Sequence, residues 1–80
     1  MWYVYILKSV QGNKYYIGCS NNIERRLLEH NKGYNTATVK DKPWKVVYCE
    51  KFNNQKEAYL REKKIKSYKS GNAFKKLLYL

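Results

Sequence analysis

Three polar side chains in this 80-residue chain fall where polar groups are costly. The first helical stretch carries an apolar stripe at Ile23 and Leu27, and the next position on it is His30. Arg26 lies three residues after Ile23 and one turn before His30, so it flanks the same face. A second stretch has Ala58, Ile65 and Tyr68 on one stripe, with Glu62 between them. A carboxylate on a core-facing stripe is expensive unless it is paired, protonated or bound to a cation. Glu62 is also the one acid among seven bases in the last twenty residues. The three types span useful chemistry. A carboxylate can hold a hard cation, a guanidinium fork matches phosphate oxygens, and an imidazole can exchange a proton near neutral pH. Each also has a plain structural reading. Arg26 can run its stem along the core and keep its head in water. His30 can be a hydrogen-bonded helix-end residue, and Glu62 can pair with Lys66 one turn on.

The elements that must position them follow from local pattern. Met1–Ser9 is rich in aromatic and β-branched residues on both faces, which predicts a strand covered on two sides. Gln11-Gly12-Asn13-Lys14 is turn chemistry, and Tyr15–Cys19 is the returning arm of a hairpin. Ser20-Asn21-Asn22 offers caps for a helix from Ile23 to Lys32, stopped at Gly33. Residues 34–43 are polar and contain Pro43, so they form a loop, and Trp44–Lys51 is a third strand. Asn54 and Glu57 resemble a capping box for a helix to about Tyr68, broken at Ser70-Gly71. Ala73–Leu80 forms a last short helix. The order β-β-α-β-α-α predicts an α+β fold, a small three-stranded antiparallel sheet flanked by helices. Eighty residues make one domain, residues 1–80.

Composition narrows the partner. Lys and Arg number 17 against 6 acids, a net charge of +11, and residues 41–80 carry +7 of it. Such an excess favours a polyanion, with nucleic acid ahead of a membrane surface. The apolar opening Met1–Leu7 is too short for a signal peptide. Cys19 and Cys49 fall in different strands without ligand-like spacing, which suggests two buried thiols in a cytoplasmic protein.

Two tyrosines join the polar set through a motif. Tyr3-Val4-Tyr5 is followed, eleven residues after Tyr5, by Tyr16-Ile17-Gly18. The pair resembles the signature of the GIY-YIG nucleases. Tyr3 and Val4 stand where that signature names Gly and Ile, a form common among small stand-alone members. The resemblance continues through Asn22–Asn31, where Arg26 and His30 fall on positions that face the family's active site. It extends through Glu57–Lys66, where Glu62 takes the place of the family's sole protein metal ligand.

The resemblance implies an endonuclease that hydrolyses phosphodiester bonds with Mg²⁺ or Mn²⁺ on Glu62. Tyr5 would deprotonate or orient the attacking water, its pKa lowered by the metal and Arg26. Tyr16 would orient water or phosphate, Arg26 would donate to the non-bridging oxygens, and His30 would assist the water or Tyr5. Gly18 would allow close approach, and Asn72 is a further contributor. Lys63, Lys64, Lys66, Lys69, Lys75 and Lys76 are candidates for nucleic-acid backbone contacts, DNA ahead of RNA, with a protein partner for targeting. The alternative is a catalytically silent basic binding module or an accessory domain of a repair assembly.

Overall fold

The computed structural model describes residues 1–35, 38–69 and 71–79. Strand β1 (Trp2–Ser9) is the centre of a three-stranded antiparallel sheet, between β2 (Tyr15–Ser20) and β3 (Trp44–Phe52). Its central position explains its composition. Val4 and Ile6 are buried on one face, Tyr5 and Leu7 on the other. The first face packs against Ala58 and Ile65 of α2 (Gln55–Ser67) and Phe74 of α3 (Asn72–Tyr79). The second packs against Trp44 and against Ile23 and Leu27 of α1 (Ile23–Asn31).

The sequence-level caps form as expected. Asn22 Oδ1 accepts from the Arg25 amide at 3.0 Å, and Asn54 Oδ1 from the Glu57 amide at 2.9 Å. Each satisfies an amide that the first helical turn leaves without a partner. Gly33, past the end of α1, adopts φ +83, the left-handed conformation suited to glycine. Asn31 then ties α1 to β3, its side chain accepting from the Trp44 amide and donating to the Trp44 carbonyl.

Three expectations need correction. The stop after α2 involves Lys69, which takes the left-handed conformation at φ 54. Ser70, read as part of that break, and Leu80, read as the end of the last helix, lie outside the described residues. The loop over 34–43 contains a 3₁₀ turn, Val39–Asp41. The two thiols are free, but Cys49 is exposed. It pairs with Tyr5 across the sheet on the outer strand β3, away from the buried centre.

Candidate active site

The hairpin register places Tyr5 directly opposite Gly18, and Leu7 opposite Tyr16. Cross-strand partners share a face, so Tyr5 and Tyr16 stand together on the α1 side of the sheet. Their ring centroids are 6.4 Å apart. The Tyr5 ring lies across β2 above Gly18. A Cβ at Gly18 would sit 2.6 Å from Tyr5 Oη and 2.8 Å from its Cζ. Glycine is thus required here by space, since its missing side chain is the slot the phenol occupies.

Helix α1 adds Arg26 and His30 from above. Arg26 lies beside the Tyr5 hydroxyl, close enough to act on its pKa, and donates through Nη1 to Glu29 Oε1 at 2.8 Å. Burial raises the Tyr5 pKa, and Arg26 opposes this without reversing it. The expected lowering therefore does not occur in the protein alone. His30 is fully buried, with Nδ1 2.8 Å from Thr38 Oγ1 and its ring 4.6 Å from that of Tyr16. Its Nε2 is buried without a partner among the described residues. Burial first, and Arg26 second, lower its pKa, while Glu29 opposes them. His30 thus favours its neutral form and packs its ring against Tyr16 from the α1 side. Arg26, Glu29, His30, Tyr34 and Asn35 line a cleft of about 300 Å³ beside this group.

Glu62 approaches from the other face. Ala58 and Ile65 fix α2 against Val4 and Ile6, which aims Glu62 at β2. Cys19 lies on that face of β2, and burial first, then the neighbouring Glu62 carboxylate, raise the thiol pKa to about 11. Glu62 also lies near enough to Tyr5 to help raise its pKa. A tyrosine side chain reaches farther than the roughly 4.8 Å between neighbouring strands. Tyr5 thus passes over β2 on one face while Glu62 meets β2 on the other. The two are within electrostatic range of each other across the strand.

Lys66 Nζ rests on Glu62 Oε2 at 2.6 Å, a contact that raises the lysine pKa. Lys66 is therefore engaged, unlike the exposed Lys64, Lys69, Lys75 and Lys76. Lys63 lies over the Tyr59 ring at 5.3 Å. Asn72 is exposed at the start of α3, and none of the interactions that define the group involves it. The contacts of Thr38, Glu29 and Cys19 were not anticipated from sequence, because each depends on how a loop or strand docks. The i, i+4 spacing of Glu62 and Lys66 did foreshadow their pairing.

This tyrosine pair on a hairpin, with an Arg above and a Glu below, joins two strands and two helices into one constellation. The model of the GIY-YIG catalytic domain matches residues 1–75. The chain belongs to the GIY-YIG family. Three relatives illustrate the reach of this GIY-YIG protein's sequence. A UPF0213 protein of Clostridium perfringens is 43% identical over 67 residues, covering 82% of this chain and 71% of the relative. One from Staphylococcus saprophyticus is 37% identical, covering 82% and 80%. One from Natronomonas pharaonis is 36% identical over 66 residues, covering 81% and 76%. No solved structure matches. The GIY-YIG domain is a nuclease-family domain and implies binding of nucleic acid. Among the described residues no helix is long and apolar enough to cross a membrane.

Proposed function

We propose that residues 1–80 act as one endonuclease domain that hydrolyses phosphodiester bonds in DNA, with Mg²⁺ or Mn²⁺ held by Glu62. The observation that carries this reading is the packing of Tyr5 and Tyr16 over Gly18 on one face of β2, with Glu62 within electrostatic range of Tyr5. Among the described residues no group of three or more His, Cys, Asp or Glu gathers, so a metal would rest on a single carboxylate. The fit is supported by the cation already there. Glu62 is 12% exposed and holds the Lys66 ammonium. A hard divalent ion suits the same oxygen, with water and phosphate oxygens as its other ligands. When bound, the metal supplies Lewis acidity that neutralises phosphate charge and lowers the pKa of adjacent water and phenol.

The chain's own residues do the rest. Tyr5 is a phenol at neutral pH, with the Arg26 guanidinium beside its oxygen. Its O–H orients the attacking water, and it yields its proton only when more positive charge gathers at Glu62. Arg26 sits between Tyr5 and the cleft and donates to the non-bridging oxygens, where charge develops in the transition state. Tyr16 orients the scissile phosphate, and His30 positions Tyr16 without touching substrate. Gly18 keeps the slot open. Free thiols and a nucleic-acid substrate suit the cytoplasm.

The test is cleavage of supercoiled plasmid and of duplex, branched and single-stranded oligonucleotides with Mg²⁺ or Mn²⁺. Products should appear with metal and disappear with EDTA or with Glu62→Ala. An unchanged rate for Glu62→Ala refutes the metal role. Salt-sensitive binding with no products on any substrate leaves only a binding module.

A further inference from the structure

Lys66 lies one helical turn beyond Glu62, with Nζ 2.6 Å from Glu62 Oε2. The two ends of this pair differ in depth. The carboxylate side chain is 12% exposed and the lysine 52%. The carboxylate is thus sunk beside β2, while the lysine stem runs out to solvent and is free to swing. The ammonium also lies near enough to Tyr16 and Cys19 for their charges to act on it. The tyrosine proposed to meet phosphate is thus within electrostatic range of the ammonium.

We infer that Lys66 is the resident cation of the Glu62 position, displaced by divalent metal and then transferred to the substrate phosphate. The inference rests on the reading of Glu62 as metal ligand. Two cations cannot share one carboxylate at contact distance without repelling each other. Metal arriving alone would leave the ammonium beside a double positive charge with no anion to replace Glu62. Phosphate arriving with the metal removes that penalty, because it ligates the metal and gives Lys66 a new partner a short swing away. Metal and substrate then bind cooperatively. By linkage each raises the other's affinity by the same factor. Lys66 acts here as a positioning residue that couples the two events.

The experiment is Mn²⁺ titration of the full chain, followed by electron paramagnetic resonance, for wild type, Lys66→Met, Lys66→Arg and Glu62→Gln. Circular dichroism confirms that each is folded. Lys66→Met keeps the stem and removes the competing charge, so Mn²⁺ should bind roughly two- to fivefold tighter than in wild type. Lys66→Arg keeps the charge and should stay near wild type, and Glu62→Gln should lose the site. Anisotropy of a labelled DNA duplex, with Ca²⁺ or with EDTA, gives the coupling. Metal should enhance duplex affinity in wild type and much less in Lys66→Met. Equal Mn²⁺ affinity in wild type and Lys66→Met, with loss in Glu62→Gln, overturns the role of Lys66 and leaves Glu62 as ligand. Absence of any Glu62-dependent Mn²⁺ binding, with or without duplex, overturns both.

Discussion

Replacing Gly18 by Ala tests the central geometry with one methyl group. The new Cβ would lie 2.6 Å from Tyr5 Oη, 2.8 Å from Tyr5 Cζ and 3.2 Å from Tyr16 Cε1. Unstrained contacts between such atoms need roughly 3.5 Å, so Tyr5 must retreat by about 1 Å. It has little freedom to do so. It is 1% exposed, its ring packs among Leu7, Trp44, Ile23 and Leu27, and Arg26 lies beside its oxygen. Overpacking of this kind costs about 1–3 kcal/mol. For a domain of this size that corresponds to a melting point lower by about 5–20 °C. A displacement of about 1 Å at a reacting group also lowers turnover by roughly a hundredfold. Thermal melts by circular dichroism and a plasmid-nicking assay read the two effects. A double-mutant cycle isolates the cause. In a Tyr5→Leu background the ring is gone, so Gly18→Ala should cost little or even stabilise, since alanine suits a strand better than glycine. Equal destabilisation by Gly18→Ala in both backgrounds, or full activity in the single variant, refutes the slot.

Other outcomes follow from the same structure. His30 has a folded pKa below its unfolded value of 6.5. As pH falls below about 6.5 the unfolded chain takes up a proton that the folded chain refuses, so stability declines until the lowered pKa is reached. Urea unfolding between pH 7 and 5 should show this slope, and His30→Gln should flatten it. Arg61 makes a two-point contact with Glu50, Nε to Oε1 at 2.8 Å and Nη2 to Oε2 at 2.9 Å, while Tyr48 also donates to Glu50. This pair joins α2 to β3 and is only partly exposed. Glu50→Ala strands the guanidinium and should cost about 1–2 kcal/mol in chemical denaturation. Of the six lysines predicted to meet the nucleic-acid backbone, five have no ion pair with Glu62: Lys63, Lys64, Lys69, Lys75 and Lys76. If each meets one phosphate of a DNA duplex, log affinity should fall against log salt with a slope of about −4 to −5.

What was legible in the sequence was whatever depends on neighbours along the chain. Residues apolar on both faces marked β1 as the central strand, and Asn22 and Asn54 announced their helices. Glu62 was visible because a carboxylate interrupted a stripe defined by Ala58 and Ile65. Arg26 and His30 were visible from their place beside the Ile23–Leu27 stripe, the motif tyrosines were found by resemblance, and the register Tyr5 to Gly18 explains why the motif needs its glycine. What depends on depth was not legible. Whether Arg26 or burial governs Tyr5 is decided by how far the phenol sinks, and burial wins. Cys49 was expected inside, yet it sits on an outer strand, and β1 and β3 also slip register between Ile6 and Leu7. The turn at Lys69 was hidden because lysine carries no signal for a left-handed backbone.

The order β2-β1-β3 leaves two strands with unpaired outer rims. In most sheets an open rim invites another strand to join. Under the proposed function one rim is taken up by chemistry. A polypeptide zipped onto β2 would then crowd Tyr16 and Gly18 and block substrate. Growth of this fold by fusion or by sheet-to-sheet pairing is thereby confined to the β3 flank.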